Sequence, residues 1–349
     1  MVSVNGTRKS YLDVLRIFAA FLVVFNHTEG FHLFLSQAAD GSVGSWLRVI
    51  ISVFTTINIP IFFMVSGALL LGKDESYLEL FRKRILRILI VLAVFSALIY
   101  IMRDGGMIFS MDFIRALLAG EITLSYWFLF AYLGFLFSLP FLRKIGRNMT
   151  NKDFLFLVVL QFCLTSALPA YRYWCGAQDI QPVLILSDFQ MPFSTMMILF
   201  YPLVGYHLST DKFIKKFEAW HIACFLGVMA VSVGFASIIT YHQGVHSGFS
   251  QDYLSLFTNN CAIVVFLLAR YVCECASPSP LVRKVLSAVS GVTFGVYLLE
   301  PLLNFYLYYA YGSSVNRMLY SVLWCFFSMF VCGAVTFLIK KIPVIGKLL

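Results

Sequence analysis

The sequence predicts an all-α protein, a polytopic transmembrane helix bundle of about ten spans with both termini in the cytoplasm. Three observations predict it. Hydrophobic residues make up 60% of the 349 residues and charged residues only 12%, against about 25% in an ordinary soluble domain. Ten apolar stretches are long enough to cross about 30 Å of hydrocarbon. Lys and Arg are distributed unevenly among the segments that connect these stretches.

Short polar segments, often containing Gly or Pro, separate the predicted spans. None of these segments is long enough to form a soluble domain, so residues 1–349 are predicted to be one integral membrane domain. The predicted spans cover residues 11–31, 49–71, 85–102, 126–142, 154–170, 191–208, 219–240, 254–272, 286–310 and 318–339.

Basic residues predict the orientation of the bundle. With a cytoplasmic N-terminus, twenty of the 26 Lys and Arg residues fall in inner segments and five in outer segments, which leaves Arg16 inside a span. This asymmetry follows the positive-inside rule. It also accounts for the net charge of +9 without a nucleic-acid partner. The eight cysteines lack metal-ligand spacing, so no metal site is predicted, and the partner common to all spans is membrane lipid.

The first span, YLDVLRIFAAFLVVFNHTEGF, carries several ionisable groups within an apolar stretch. Each costs about 2.5–3.5 kcal/mol at the centre of a membrane helix, so each is a functional candidate. Arg16 and His27 are eleven residues apart, close to three helical turns, so both face the same side. Their separation of about 16 Å along the axis excludes direct contact. Arg16 is therefore expected to bind another group near the inner face, with Asp13 as its orienting partner.

His27 and Glu300 are the candidates for proton transfer inside the bundle. A neutral imidazole is the usual general base near pH 7, and the alternative for His27 is a packing role with hydrogen bonds between helices. Glu300 lies well inside span nine, directly before Pro301. A carboxyl group at this depth suggests a cavity-facing role or a partner on another helix.

A basic segment lies at the mouth of the third span. Its cations are Arg82, Lys83, Arg84 and Arg87. Membrane topology alone explains a cytoplasmic cluster of this kind. The functional alternative is a docking surface for a phosphorylated ligand such as a nucleotide-bearing cofactor.

Two further segments favour a structural interpretation when they are taken alone. Tyr126 and Trp127 begin span four, where aromatic anchors of the membrane interface are expected. In span two, Pro60 kinks or starts a helix segment, and Ser66 and Gly67 permit close helix approach.

In order along the chain, these segments resemble the acyltransferase 3 family of integral membrane acyltransferases. The most specific mark is the spacing of ten residues between Arg16 and His27, after the Asp13-x-x-Arg16 start. The other matching segments are Pro60-x-Phe62-Phe63-x-x-Ser66-Gly67, the basic run from Phe81 to Arg87, Trp127-Phe128 before Pro140, Gly205-Tyr206, and Ser290 to Pro301. The resemblance covers nearly the whole chain.

The resemblance implies a ten-span enzyme of a bacterial inner membrane. Such an enzyme takes an acyl group, usually acetyl from acetyl-CoA on the cytoplasmic side, and delivers it to a hydroxyl of an envelope polysaccharide or a lipid-linked sugar. It implies that His27 is the catalytic residue with Arg16 as its motif partner. It also implies that the basic segment binds the CoA phosphates, and we include Trp127 in the same cofactor-binding set.

This chain departs from the family pattern at two positions. Tyr126 and Glu300 stand where the family often has histidine. The departures leave the role of His27 unchanged and bear on the acceptor and on the assisting acid or base. Glu300 could supply that assistance itself.

Two other classes of function remain open. A transporter or flippase of a lipid-linked glycan also needs a polar cavity in a helix bundle, and an inverted internal repeat would favour it. The sequence shows no convincing repeat of this kind. A structural membrane subunit is disfavoured because it has no evident use for ionisable groups on one face of the first span.

Overall fold

The computed structural model describes residues 9–27, 42–104, 108, 110–167, 171, 175, 196–210, 218–243, 253–310, 317–343 and 345–349. Helix accounts for 87% of the structure, and no strand occurs in these ranges, which confirms the all-α prediction. The helices are α1 (Ser10–Phe25), α2 (Val43–Thr55), α3 (Asn58–Leu70), α4 (Tyr77–Leu80), α5 (Leu86–Asp104), α6 (Met111–Ala119), α7 (Trp127–Asn148), α8 (Asn151–Phe162), α9 (Met197–Ser209), α10 (Ala219–Gln243), α11 (Leu256–Ala276), α12 (Pro280–Ala310) and α13 (Arg317–Ile339).

Among the described residues, seven helical segments are long and apolar enough to cross a membrane. They are Val43–Leu70, Tyr77–Arg103, Leu124–Asn148, Trp220–Tyr241, Leu256–Ala276, Pro280–Asn304 and Val322–Ile339. They correspond to predicted spans two, three, four, seven, eight, nine and ten. Predicted spans one, five and six coincide with α1, α8 and α9, and each extends into residues outside the described ranges. The count of ten spans stays a prediction.

The second predicted span is divided into α2 and α3 by a short turn. Asn58 begins α3, and its side-chain Oδ1 accepts a hydrogen bond of 2.6 Å from the amide of Ile59. Pro60 occupies the first turn of α3, where a missing backbone N–H breaks no intrahelical bond. Pro60 therefore starts a helical segment, one of the two roles predicted for it.

Two glycines allow α3 and α9 to approach at backbone contact. A Cβ atom added to Gly67 would lie 2.0 Å from the carbonyl oxygen of Pro202, and one added to Gly205 would lie 2.0 Å from that of Met64. Both distances are far below any tolerable contact, so no larger residue fits without moving a helix. The structure confirms that Gly67 permits close helix approach.

Helix α1 lies in the interior of the bundle. It packs against α3, α11, α12 and α13, and its side chains Leu15 and Ala19 are fully buried. The ionisable groups of α1 therefore have protein neighbours instead of lipid. This position makes polar partners from other helices available to them, which lowers the cost of placing them in a span.

Outer helices carry the apolar surface of the molecule. Val231 and Phe235 on α10 are about 60% exposed, and Phe330 on α13 is 77% exposed. Water-soluble proteins rarely expose large contiguous apolar patches of this kind. The exposed faces of α10 and α13 suit contact with lipid chains, in agreement with a membrane protein.

Candidate functional site

His27 and Glu300 form a close pair between α1 and α12. His27 Nδ1 lies 2.7 Å from Glu300 Oε2. The glutamate side chain is 1% exposed and the histidine side chain 23% exposed. The two groups are 273 positions apart in the chain, so only the packing of α1 on α12 brings them together.

Asn304 and Trp324 hold the other side of the glutamate. Trp324 Nε1, on α13, donates a hydrogen bond of 2.8 Å to Asn304 Oδ1. Because an indole N–H only donates, this bond turns the amide nitrogen of Asn304 the opposite way. That nitrogen donates to Glu300 Oε1 and, at 3.3 Å, to the backbone carbonyl of His27. Three helices thus fix the position of one carboxylate.

This arrangement selects one tautomer of His27. Both oxygens of Glu300 face donors, as expected for an ionised carboxylate, which only accepts hydrogen bonds. His27 Nδ1 then carries the proton and Nε2 carries the lone pair. Among the described residues Nε2 has no hydrogen-bond partner, and the ring is partly exposed. A histidine held in this way can accept a proton at Nε2.

Tyr126 and Tyr297 join α7 to α12 beside this pair. The Tyr126 hydroxyl donates a hydrogen bond of 2.8 Å to the carbonyl of Leu298, two residues before Glu300. The Tyr297 hydroxyl donates to the carbonyl of Ser125 in return. Tyr126 is 2% exposed. The two positions at which the chain departs from the family pattern, Tyr126 and Glu300, therefore lie in one region of the structure.

Three cations approach one stretch of α12 nearer its beginning. Arg16 Nη1 lies 3.5 Å from the hydroxyl of Ser290. Lys340 Nζ donates a hydrogen bond to the backbone carbonyl of Gly291. The Arg87 guanidinium lies 5.8 Å above the ring of Phe294. Positive charge from α1, α5 and the end of α13 is thus concentrated on one turn of α12.

The cation cluster and the histidine pair lie at two levels of the same helix. Ser290 and Glu300 are ten residues apart on α12, which is about 15 Å along its axis. Arg16 and His27 both reach α12, so they share one face of α1, as their spacing predicted. They contact different partners, again as predicted.

The basic segment is divided among several partners. Arg84 forms a two-bond ion pair with Glu75, which also accepts a hydrogen bond of 2.7 Å from Arg143. The hydrogen bond from Arg84 and the nearby Arg143 hold the pKa of Glu75 down to about 2. Lys83 pairs with Glu79 at 2.9 Å.

The other two cations of the segment differ in their surroundings. Arg87 donates to the backbone oxygens of Leu348 and Leu349, at 3.0 and 2.9 Å. Arg82 is exposed and makes no ion pair with the described residues. Of the four predicted phosphate ligands, only Arg87 joins Arg16 at the cation cluster.

Trp127, the remaining predicted site residue, lies at the start of α7. Its ring stacks on Tyr253 with 5.6 Å between centroids and is 37% exposed. It directly follows Tyr126, whose hydroxyl bonds the carbonyl of Leu298 on α12. Within the described ranges, no group of three or more His, Cys, Asp and Glu side chains could hold a metal ion.

Comparison with known families supports this description of the molecule. The family model acyltransferase 3, described as an acyltransferase domain, matches residues 9–337. The chain belongs to the acyltransferase 3 family. Membership supports membrane acyltransferase activity and implies an acyl donor and an acceptor. Searches of curated proteins and of solved structures found no match.

Sequence reasoning missed three residues of this candidate site. Asn304 lies one turn after Glu300 on the same helix face, so the spacing of four residues could have predicted their contact. Lys340 was counted only toward membrane orientation. Trp324 belongs to another helix, and no sequence pattern connects it with Glu300.

Proposed function

We propose that this acyltransferase moves an acetyl group from acetyl-CoA to a hydroxyl of an envelope polysaccharide or a lipid-linked sugar. In this proposal it is a single-domain protein of ten spans in a bacterial inner membrane, with both termini in the cytoplasm. Family membership supports acyl transfer, and the resemblance to the family suggests the donor and the acceptor. The observation that carries the proposal is the 2.7 Å contact between His27 Nδ1 and Glu300 Oε2.

His27 is proposed as the general base. Its Nε2 takes the proton from the acceptor hydroxyl while the hydroxyl oxygen attacks the thioester carbonyl. The new C–O bond forms, the C–S bond breaks, and the imidazolium returns the proton to the departing thiolate. Glu300 stabilises the imidazolium by charge and by the hydrogen bond at Nδ1, the part that a buried carboxylate has in other histidine-based sites.

A covalent variant of this mechanism uses the same geometry. His27 Nε2 would accept the acetyl group itself and pass it to the sugar hydroxyl in a second step. Glu300 has the same orienting role in both variants. Trapping of acetyl label on the protein after acid-free denaturation would separate the covalent variant from direct transfer.

The donor phosphates are proposed to bind at the level of the cation cluster. Arg16 and Arg87 approach the same turn of α12 as Lys340, and three cations suit a pyrophosphate group. Arg82, Lys83, Arg84 and Trp127 complete the proposed donor set. The distance of about 15 Å to Glu300 leaves room for an extended arm between the phosphates and the thioester.

The test is transfer of label from radiolabelled acetyl-CoA into envelope glycan by membranes that carry the protein. Wild type is compared with His27→Ala and with His221→Ala, expressed to equal levels. His221 lies on α10, where its ring stacks on Trp220, so its replacement controls for the loss of a histidine elsewhere in the bundle. Label is expected with wild type and His221→Ala and is expected to be lost with His27→Ala.

Two results would contradict the proposal. Equal transfer by His27→Ala would remove His27 from the reaction. If wild type, His27→Ala and His221→Ala are all well folded and none transfers label, either acetyl-CoA is not the donor or the protein is not an acyltransferase. The transporter of a lipid-linked glycan would then be tested by following movement of the glycan across vesicles.

A further inference from the structure

A second polar site lies where four helices meet at one end of the bundle. The helices α1 and α12 begin there, and α9 and α11 end there. Between them is a cavity of about 410 Å³ lined by residues of all four helices and of the turn after α11. None of its lining residues belongs to the His27 and Glu300 pair or to the cluster of Arg16, Arg87 and Lys340.

The lining of this cavity is positively charged. It contains three cations, Lys9, Arg270 and Arg283, and one acidic group, Glu274. Four hydroxyl-bearing residues also line it, namely Ser10, Tyr11, Ser209 and Ser277. Cations and hydroxyl donors together are the groups that bind phosphate oxygens in proteins.

The interior cation of the site is held rigidly. Arg270 is 5% exposed, pairs with Glu274 at 2.7 Å, and donates to the carbonyls of Leu208 and Thr210. Lys9 donates to the carbonyl of Ser209 at 2.7 Å. These bonds satisfy the carbonyl groups at the end of α9, which would otherwise repel an anion.

Two features leave the site able to accept a further anion. Arg283 is exposed and has no ion-pair partner among the described residues. The amino-terminal ends of α1 and α12 both point to this cavity, and helix amino termini favour negative charge. The one acidic group, Glu274, is already bound to Arg270.

We propose that this cavity binds a phosphate group, with Arg283 and Lys9 as its charged ligands and Arg270 as the buried support. The phosphate belongs either to a soluble nucleotide or to the headgroup of an anionic phospholipid, since basic pockets between membrane helices bind such headgroups. The site is separate from acyl transfer and does not depend on the proposed mechanism.

The test compares Arg283→Gln with Lys284→Gln in the full-length protein. Both residues are exposed in the first turns of α12, and only Arg283 lines the cavity, so the two variants lose equal charge. In phosphatidylcholine nanodiscs with saturating coenzyme A, which occupies the proposed donor site at Arg16, Arg87 and Lys340, binding of 3′,5′-ADP is measured by titration calorimetry. In a second arm, native mass spectrometry counts phosphatidylglycerol retained from mixed lipids.

Loss of a charge-assisted hydrogen bond by Arg283→Gln should weaken phosphate binding by about tenfold to a hundredfold. Lys284→Gln should change it by less than about threefold. Selective weakening of 3′,5′-ADP identifies a nucleotide site, and selective loss of retained phosphatidylglycerol identifies a lipid site. If wild type binds neither probe, or if the two variants behave alike with both probes, the proposal is wrong. Because the readout is binding, it is independent of whether acetyl transfer is observed.

Discussion

Replacing Glu300 by glutamine tests how His27 is prepared for proton transfer. The substitution keeps the size of the side chain and removes its charge. Trp324 fixes the amide of Asn304, so Asn304 continues to donate to the oxygen of the new glutamine. The glutamine NH₂ group must then face His27 Nδ1. Because an NH₂ group only donates, it forces Nδ1 to accept and moves the histidine proton to Nε2.

The expected loss of rate follows from two effects. The hydrogen bond at 2.7 Å between His27 and Glu300 is charge-assisted once the imidazolium forms, and such bonds contribute about 1.5–3 kcal/mol. At about 1.4 kcal/mol for each factor of ten, its loss lowers kcat by about 10-fold to 150-fold. The wrong tautomer adds to this, because Nε2 no longer carries a lone pair. We therefore expect a loss at or beyond the upper end of this range.

The assay is the initial rate of label transfer from acetyl-CoA by purified protein in nanodiscs. Rates are expressed per folded protein, with thermal unfolding measured in the same samples. The KM for acetyl-CoA should stay within about twofold of wild type, because Glu300 lies about 15 Å from the proposed donor phosphate site. The loss should therefore appear in kcat.

A packing role for Glu300 makes the opposite prediction. The unfolding temperature of Glu300→Gln would fall, while the rate per folded molecule would stay near that of wild type. That result would refute the reasoning from hydrogen-bond geometry to catalysis, and His27 would then be a histidine that joins helices.

Three further predictions follow from other contacts. Trp324→Phe removes the donor that orients Asn304, and the same transfer assay should show a loss of about twofold to tenfold in kcat, the effect of one neutral hydrogen bond. Gly205→Ala places a Cβ 2.0 Å from a carbonyl oxygen of α3 and should lower the unfolding temperature at a cost of about 1–3 kcal/mol or more. Gly227→Ala, with nothing within 4 Å, should not lower it, because alanine is the better helix former. Glu75, whose pKa is lowered to about 2, contributes stability that is fully present above its ordinary pKa of 4.5 and is lost as pH falls toward 2. The difference in unfolding temperature between wild type and Glu75→Gln should be constant from pH 7 to pH 5 and should narrow below about pH 4.5.

The helices were predictable because membrane insertion leaves a strong local signal. Each predicted span coincides with a helix, at least over its described residues, since long apolar runs have few alternatives in lipid. The face of α1 that carries Arg16 and His27 was also predictable, because both follow the helical period. The turn before Asn58 was not, because Thr55, Thr56 and Asn58 carry no charge and a membrane helix tolerates such residues within an apolar run.

The partners within the site were less predictable, because they depend on helix packing. His27 and Glu300 are 273 positions apart, and no local pattern pairs them. For the basic segment, closeness in sequence suggested a shared site that the contacts do not show. Its four cations stand together in sequence, yet Arg84 and Lys83 pair with glutamates of the preceding turn and helix, and only Arg87 reaches the cation cluster. Neighbours in sequence at the end of a helix point in different directions around its axis.

The hydrogen bonds of His27 favour a chemical role over a packing role. A buried ion pair is a poor way to stabilise a bundle, because apolar side chains of similar volume often serve as well or better. A purely structural histidine is expected to satisfy both ring nitrogens, because each unpaired buried polar group costs free energy. Here Asn304 on α12, itself oriented by Trp324 on α13, fixes the Glu300 carboxylate that bonds Nδ1 and also bonds the main-chain carbonyl of His27. Nε2 has no hydrogen-bond partner among the described residues. Precise support on one side of the ring and an open nitrogen on the other is what a base needs to receive a proton from a substrate.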